Sequence, residues 1–248
     1  LEKERISDPE AALDGRPLRL SSVRVCSPIP HPEQDIICLG VNYAAHADES
    51  AQFDRKAFLL DRKKATYFSK RAYQTSGPDD LIPSYPELVT SLDYEAELAV
   101  IIGRDCKNVC ERDAAACIFG YTVLNDVSAR NLQTEHNQWY FGKSLDGFTP
   151  MGPCIVTEDE IPYPPALSIS STVNGELRQN SNTKYLLHSI SEIIAELSQG
   201  MTLLAGTIIA TGTPAGVGMG FDPPKFLKSG DVVTCEIEKI GRLTNMVK

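Results

Sequence analysis

A mixed α+β fold, mainly β, is predicted for this chain. Three observations predict the class. Strand-type alternation recurs in short runs, most clearly over 93–102 (DYEAELAVII). Helical periodicity is confined to a few dispersed stretches, so the regular strand–helix succession of a doubly wound sheet is missing. An Asn174-Gly175 pair between two short runs marks a tight hairpin.

The elements follow in order. Residues 1–16 are polar, lack a signal-peptide core and are expected to be a flexible leader, with one domain over 17–248. LRLSSVRV (18–25) alternates and predicts a strand. Pro28, Pro30 and Pro32 make a stiff connector. IICLGVNY (36–43) predicts a buried strand, AAHADESAQ a short helix, and TYFSK (66–70) another strand. Pro78, Pro83 and Pro86 mark 76–90 as loop.

Side chains of a strand alternate faces. Tyr94, Ala96, Leu98, Val100 and Ile102 therefore share an apolar face. Asp93, Glu95, Glu97, Ala99 and Ile101 share a face that begins acidic, as in an open cleft, and turns apolar. ERDAAACIF (111–119) predicts a helix stopped by Gly120, YTVLNDVS (121–128) a strand, and SARNLQTEHNQWYFGK a return to helix. CIV (154–156) is a short strand. In HSISEIIAELSQGM, Ile190, Ile193, Ile194, Leu197 and Met201 have helical spacing, and Ser189 with Glu192 forms a capping box. TIIATGTP is a strand running into a glycine-rich loop, and DVVTCEIEKIG is the last strand.

Composition narrows the function classes. With 248 residues, 42% of them hydrophobic, the chain can build a sizeable core. A net charge of −9 argues against nucleic acid and anionic membranes as partners. No run approaches the ~20 apolar residues of a membrane span. Seven scattered cysteines, an odd number, have no zinc-type pairing of C-x-x-C motifs; they suit a reducing compartment, cytoplasm or mitochondrial matrix.

Several residues invite chemistry, each with a plainer alternative. Glu95 and Glu97 either end a strand in solvent or hold a cation. Asp126 closes an apolar strand and is either a helix N-cap or a third ligand. Three carboxylates suit Mg²⁺, Mn²⁺ or Ca²⁺ better than zinc. His46 and Glu49, three apart on a helical turn, are either a solvated charge pair or an oriented general base. Arg130 and Gln133 share a helix face; the arginine is either a surface group or a carboxylate clamp. Lys143 lies between aromatics and glycines, where an ammonium can meet a substrate oxygen. TGTPAGVG (211–218) is a tight turn or a ligand loop, but neither a P-loop nor a dinucleotide fingerprint.

Taken in order, GVNYAAHADE, LDYEAELAVIIG, NDVSARNLQ, GKSLDGFTPMGP, VNGELRQNSNT and TGTPAGVG resemble the fumarylacetoacetate hydrolase family over nearly the whole chain. The resemblance implies a mixed β-sandwich roll of the fumarylacetoacetase C-terminal domain type and a homodimeric enzyme with Mg²⁺ or Mn²⁺ on Glu95, Glu97 and Asp126. It places His46 and Glu49 in a lid, and Arg130, Gln133, Lys143 and Thr213 on the substrate. Asp93 is left as a neighbouring charge or hydrogen-bond partner, not a ligand. Leu145, Gly147 and Arg71 depart from the family pattern, which bears on substrate shape. The implied activity is hydrolysis of a C–C bond in an acylpyruvate-type acid through a metal-stabilised enolate. Keto–enol tautomerisation or decarboxylation of oxaloacetate on the same site is the alternative, and the C-terminal half is similar to the tautomerase branch. A catalytically silent metal-binding protein is the alternative of another class.

Overall fold

The computed structural model describes residues 22–58 and 62–248. Its strands are β1 (Ile36–Gly40), β2 (Thr66–Lys70), β3 (Leu81–Ile82), β4 (Leu92–Asp93), β5 (Ala96–Ile102), β6 (Ile118–Asn125), β7 (Ser128–Ala129), β8 (Met151–Thr157), β9 (Ser168–Val173), β10 (Glu176–Asn182), β11 (Ile208–Ala210), β12 (Val232–Ile237) and β13 (Gly241–Val247). The helices are α1 (Ala44–Phe53), α2 (Arg55–Phe58), α3 (Arg130–Glu135), α4 (Tyr140–Lys143) and α5 (Ile190–Gly200). One sheet runs β2-β1-β11-β5-β6-β8 and a second β10-β9-β12-β13-β3, with β4 and β7 paired apart. Among the described strands, only β1 with β11 and β13 with β3 pair in parallel. The predicted α+β, mainly β architecture is what the chain adopts.

The alternation in β5 sorts the interior into two parts. Leu98, Val100 and Ile102 enter a large core shared with Ile169 and Val173 of β9 and with Val233 and Ile237 of β12, so the two sheets face each other across it. Ile193, Ile194 and Leu197 of α5 cover the same core. Ala99 and Ile101 point the other way, into a smaller cluster with Ile36, Cys38, Leu124 and Ile208. Glu97 begins that second face and, instead of opening onto a cleft, is buried.

The capping box of α5 forms as expected. Ser189 Oγ accepts from the amide of Glu192 at 3.2 Å, and the Glu192 carboxylate accepts from the Ser189 amide at 2.6 Å. Ser189→Ala is expected to cost about 1 kcal/mol. A thermal melt should fall by about 2–4 °C.

Other expectations need correction. The leader at 1–16 and the first residues of the strand expected over 18–25 lie outside the described residues, and 22–25 form no strand. The expected helix over 111–119 is a short 3-10 turn, Glu111–Cys117, and β6 already starts at Ile118. Gly120 stops nothing. It sits inside β6, where a Cβ would stand 2.3 Å from the Val156 carbonyl oxygen of β8. The run 93–102 is not one strand: Leu92 and Asp93 pair with Ala129 and Ser128, and the ladder resumes at Ala96. The helix expected over 128–143 is two short helices after β7. Leu81–Ile82 is a strand inside the expected loop, and β13 follows the strand expected to end the chain. Met201 lies past the end of α5, 46% exposed. No helix among the described residues is long and apolar enough to cross a membrane.

Candidate active site

Burying a charge is costly unless it is paired. Among the described residues, the buried Asp, Glu, Lys and Arg side chains are Lys70, Asp93, Glu95, Glu97, Asp126, Arg130 and Lys143, and they form one cluster. Four are acidic and three basic.

Antiparallel pairing of β5 with β6 assembles the acids. Ala96 sits opposite Asn125, so Glu95 and Asp126 meet just beyond the paired ends. The Asp126 amide donates to the Glu95 carbonyl at 2.9 Å, and the Glu95 amide donates to Asn125 Oδ1 at 3.0 Å. Carboxylate oxygens of Glu95, Glu97 and Asp126 lie within 4.8 Å of one another. The bases arrive from three other elements. Lys143, at the end of α4, places Nζ 2.8 Å from Glu95 Oε2 and 2.6 Å from Asp126 Oδ2. Lys70, at the end of β2, places Nζ 2.7 Å from Asp126 Oδ1. Arg130, at the start of α3, reaches Asp93 through Nε at 2.9 Å, Gln133 through Nη1 at 2.9 Å and Glu95 through Nη2 at 2.6 Å.

The pairings set the electrostatics. Burial alone would raise the Glu95 carboxyl; the Lys143 ammonium and the Arg130 guanidinium outweigh it and hold the group below the ordinary carboxylate range. Burial works against the Lys143 charge too, but Asp126 and Glu95 hold it above the ordinary lysine value. Glu97 differs. Burial pushes its carboxyl well up, and the charges of Asp126 and Glu95 push it further. Among the described residues it forms no ion pair; its hydrogen bond is from the Gly212 amide at 2.8 Å. A divalent cation on hard oxygen ligands fits this arrangement, because it supplies the partner Glu97 lacks and relieves three acids held together.

His46 and Glu49 come from α1, which covers the cluster. His46 Nδ1 lies 2.8 Å from Glu49 Oε1, and its Nε2 lies 3.4 Å from the Ser50 hydroxyl. Glu49 in turn accepts from the Gly216 amide at 3.0 Å, which fastens the helix to the glycine-rich loop. The next amides of that loop, Gly218 and Met219, donate to Asp93 at 2.6 and 3.0 Å. Asp93 is thus the hydrogen-bond partner expected of it, joining the loop to Arg130.

His46, Glu95, Arg130, Gln133, Lys143 and Thr213 line one cavity, closed to about 10 Å³, room for a water-sized molecule. Glu97 and Asp126 stand behind Glu95, and Glu49 behind His46. Two residues differ from the simplest expectation. The Arg130 guanidinium is hydrogen-bonded by the protein through Nε and Nη1, and its Nη2 is ion-paired with Glu95 but makes no aligned hydrogen bond. The Thr213 hydroxyl donates to the Ala96 carbonyl at 2.9 Å and accepts from Gln179 Nε2 at 2.7 Å. Leu145 packs on the main core, and Gly147 turns at φ 78° against Pro83; neither lines the cavity.

Residues 35–248 match the family model described as fumarylacetoacetate (FAA) hydrolase C-terminal. The chain belongs to the fumarylacetoacetate hydrolase family. Among its relatives is oxaloacetate tautomerase YisK of Bacillus subtilis, 46% identical over 228 residues, which is 92% of this chain and 74% of that protein. The mitochondrial oxaloacetate tautomerase fahd2 of Xenopus laevis is 43% identical over 242 residues, 96% of this chain and 73% of that protein. A solved fumarylacetoacetate hydrolase from psychrophilic Exiguobacterium antarcticum superposes with a TM-score of 0.82 at 44% identity, over 95% of this chain and 82% of that one.

Sequence reading missed Lys70, Gln179 and the aromatic pair Phe68 and Trp139. A signal for Lys70 existed: in TYFSK it shares the face of Phe68. Gln179 carried none. It reaches inward next to an irregularity in the β9–β10 ladder between Leu177 and Gln179.

Proposed function

We propose that this chain catalyses keto–enol tautomerisation of a small 2-oxo dicarboxylic acid of the oxaloacetate type. The observation that carries the reading is the buried triad Glu95, Glu97 and Asp126, ringed by cations and faced by His46. The named activities of two relatives above 40% identity favour proton transfer over the C–C hydrolysis expected first. Glu95, Glu97 and Asp126 would hold a divalent ion, Mg²⁺ or Mn²⁺. That ion would supply Lewis-acid polarisation of the keto oxygen.

The chain's own groups do the rest. With Glu95 and Asp126 serving a cation, Lys143 and Arg130 turn their charge to the substrate. Lys143 faces negative charge developing on the enolate oxygen, and Arg130 faces a carboxylate. Gln133 gives its carbonyl to Arg130, so its amide N–H groups are its donors toward the cavity. Glu49 accepts from Nδ1–H of His46, which leaves Nε2 to take the proton from the carbon beside the keto group and to return it. A cavity this small keeps bulk solvent away from the enolate. The active protein is a homodimer in this reading.

Proton NMR in D2O with Mg²⁺ tests the reading. Accelerated keto–enol exchange of oxaloacetate, without cleavage or loss of CO2, is the expected result. Acetate and pyruvate released from acetylpyruvate would move the assignment to hydrolysis. His46→Gln should lower kcat for exchange by about 10²–10⁴-fold. A mutant that keeps the full rate would remove His46 from the proton path.

A further inference from the structure

Beside the catalytic cavity lies a second, larger one. It holds about 320 Å³ and is lined by Lys56, Thr66, Tyr67, Thr134 and His136, among others. Phe68 and Trp139 line both cavities. These two rings are therefore the partition between them.

The partition stands on the sheet and not on α1 and α2: Phe68 is in β2, and Trp139 comes from the connection between α3 and α4. The Trp139 ring lies against Gly40 of β1, where a built Cβ would stand 2.3 Å from its Cζ3. It meets Phe68 of β2 edge-on, with ring centroids 5.3 Å apart. On its far side Phe68 carries Lys143, whose Nζ lies 5.3 Å from the ring centroid. Phe58 of α2 packs on Trp139 from above, at 5.4 Å. Were α1 and α2 to lift to admit substrate, Phe58 would go with them. The indole would stay seated on Gly40 and Phe68, so the wall would stand while the roof opened.

We propose that Trp139 determines substrate length. It keeps the outer cleft separate from the catalytic cavity and confines turnover to short 2-oxo acids, and its removal joins the two spaces so that a longer tail extends into the cleft. The proposal rests on the 2-oxo acid reading.

Binding tests it without turnover. Oxamate presents the same adjacent carbonyl and carboxylate oxygens as a 2-oxo acid, and N-hexyloxamate adds an unbranched tail. Affinities of both are measured by calorimetry in Mg²⁺ for the parent chain, Trp139→Phe and Trp139→Ala. The expected result is that Trp139→Ala improves N-hexyloxamate relative to oxamate by about tenfold or more, with Trp139→Phe between. Taking the ratio cancels any general loosening of the site. If Trp139→Ala loses its cooperative melt, Trp139→Leu takes its place. Oxamate binding with an unchanged ratio overturns the length filter and leaves the 2-oxo acid reading intact. A parent chain that binds neither probe in Mg²⁺ overturns that reading, and the filter with it.

Discussion

Glu97→Gln is expected to lower metal-dependent turnover by about a hundredfold to a thousandfold while raising the melting temperature of the metal-free protein. The substitution keeps shape and keeps an oxygen for the Gly212 amide, so the β5 backbone has no reason to move. What changes is charge. Glu97 is the one acid of the cluster with no ion pair among the described residues, and burial with Asp126 and Glu95 already disfavours its ionised form. Gln needs neither a buried charge nor a proton taken up on folding, so that cost is removed. Each kcal/mol relieved should raise the melt by about 2–4 °C. The same change takes away one of three proposed oxygen ligands. Turnover should fall on the order of a hundredfold to a thousandfold, the size of loss when one charge-stabilising group goes. The stabilisation by Mg²⁺ seen in the parent chain should shrink with it. An unchanged Mg²⁺ shift would take Glu97 out of the metal site.

Lys143→Ala should show the opposite stability. Its ammonium bridges Glu95 and Asp126, and removing it leaves two buried carboxylates each with a single cation, Arg130 and Lys70 respectively. Breaking a buried ion pair from one side costs about 3 kcal/mol or more. That corresponds to a melt lower by roughly 6–12 °C without metal. Mg²⁺ should narrow this deficit, because a cation on the triad stands in for the missing ammonium. Turnover should stay about 10²–10³-fold down even in saturating Mg²⁺, since the charge facing the enolate oxygen is gone. Lys143→Arg keeps the charge on a planar, longer group, so it should recover stability more than rate. A mutant equally unstable with and without Mg²⁺ would separate Lys143 from the metal site.

Much of this was legible in the chain, for physical reasons. Period-two alternation assigned Leu98, Val100 and Ile102 to one face and Glu97, Ala99 and Ile101 to the other, and the two cores follow that division. The Asn174-Gly175 turn and the Ser189–Glu192 box are local chemistry and formed locally. What was not legible depends on partners distant in sequence. Asp93 and Leu92 leave the β5 ladder because β7 offers them a pairing 35 or more residues on. The alanines of 111–117 favour a helix, but β6 begins one residue later, where Gly120 admits the close approach of β8. Lys70 looks like a solvated strand residue until Asp126 and the Lys143 carbonyl are placed beside it. For the site, the sequence offers residue types and spacing. It cannot offer the fact that Arg130 already has Asp93, Gln133 and Glu95 beside it.

The indole held between Phe58 and Phe68 has an optical consequence. Trp139 is the one tryptophan of the chain. Light absorbed at the red edge of the tyrosine band is therefore reported by a single fluorophore, located at the junction of roof and wall. If α2 lifts as the family resemblance implies, Phe58 would leave that ring and solvent would replace it, which would shift emission to longer wavelength and expose the ring to a small quencher. Stopped-flow emission would then time the opening and closing of the site directly, with no label attached and no product measured.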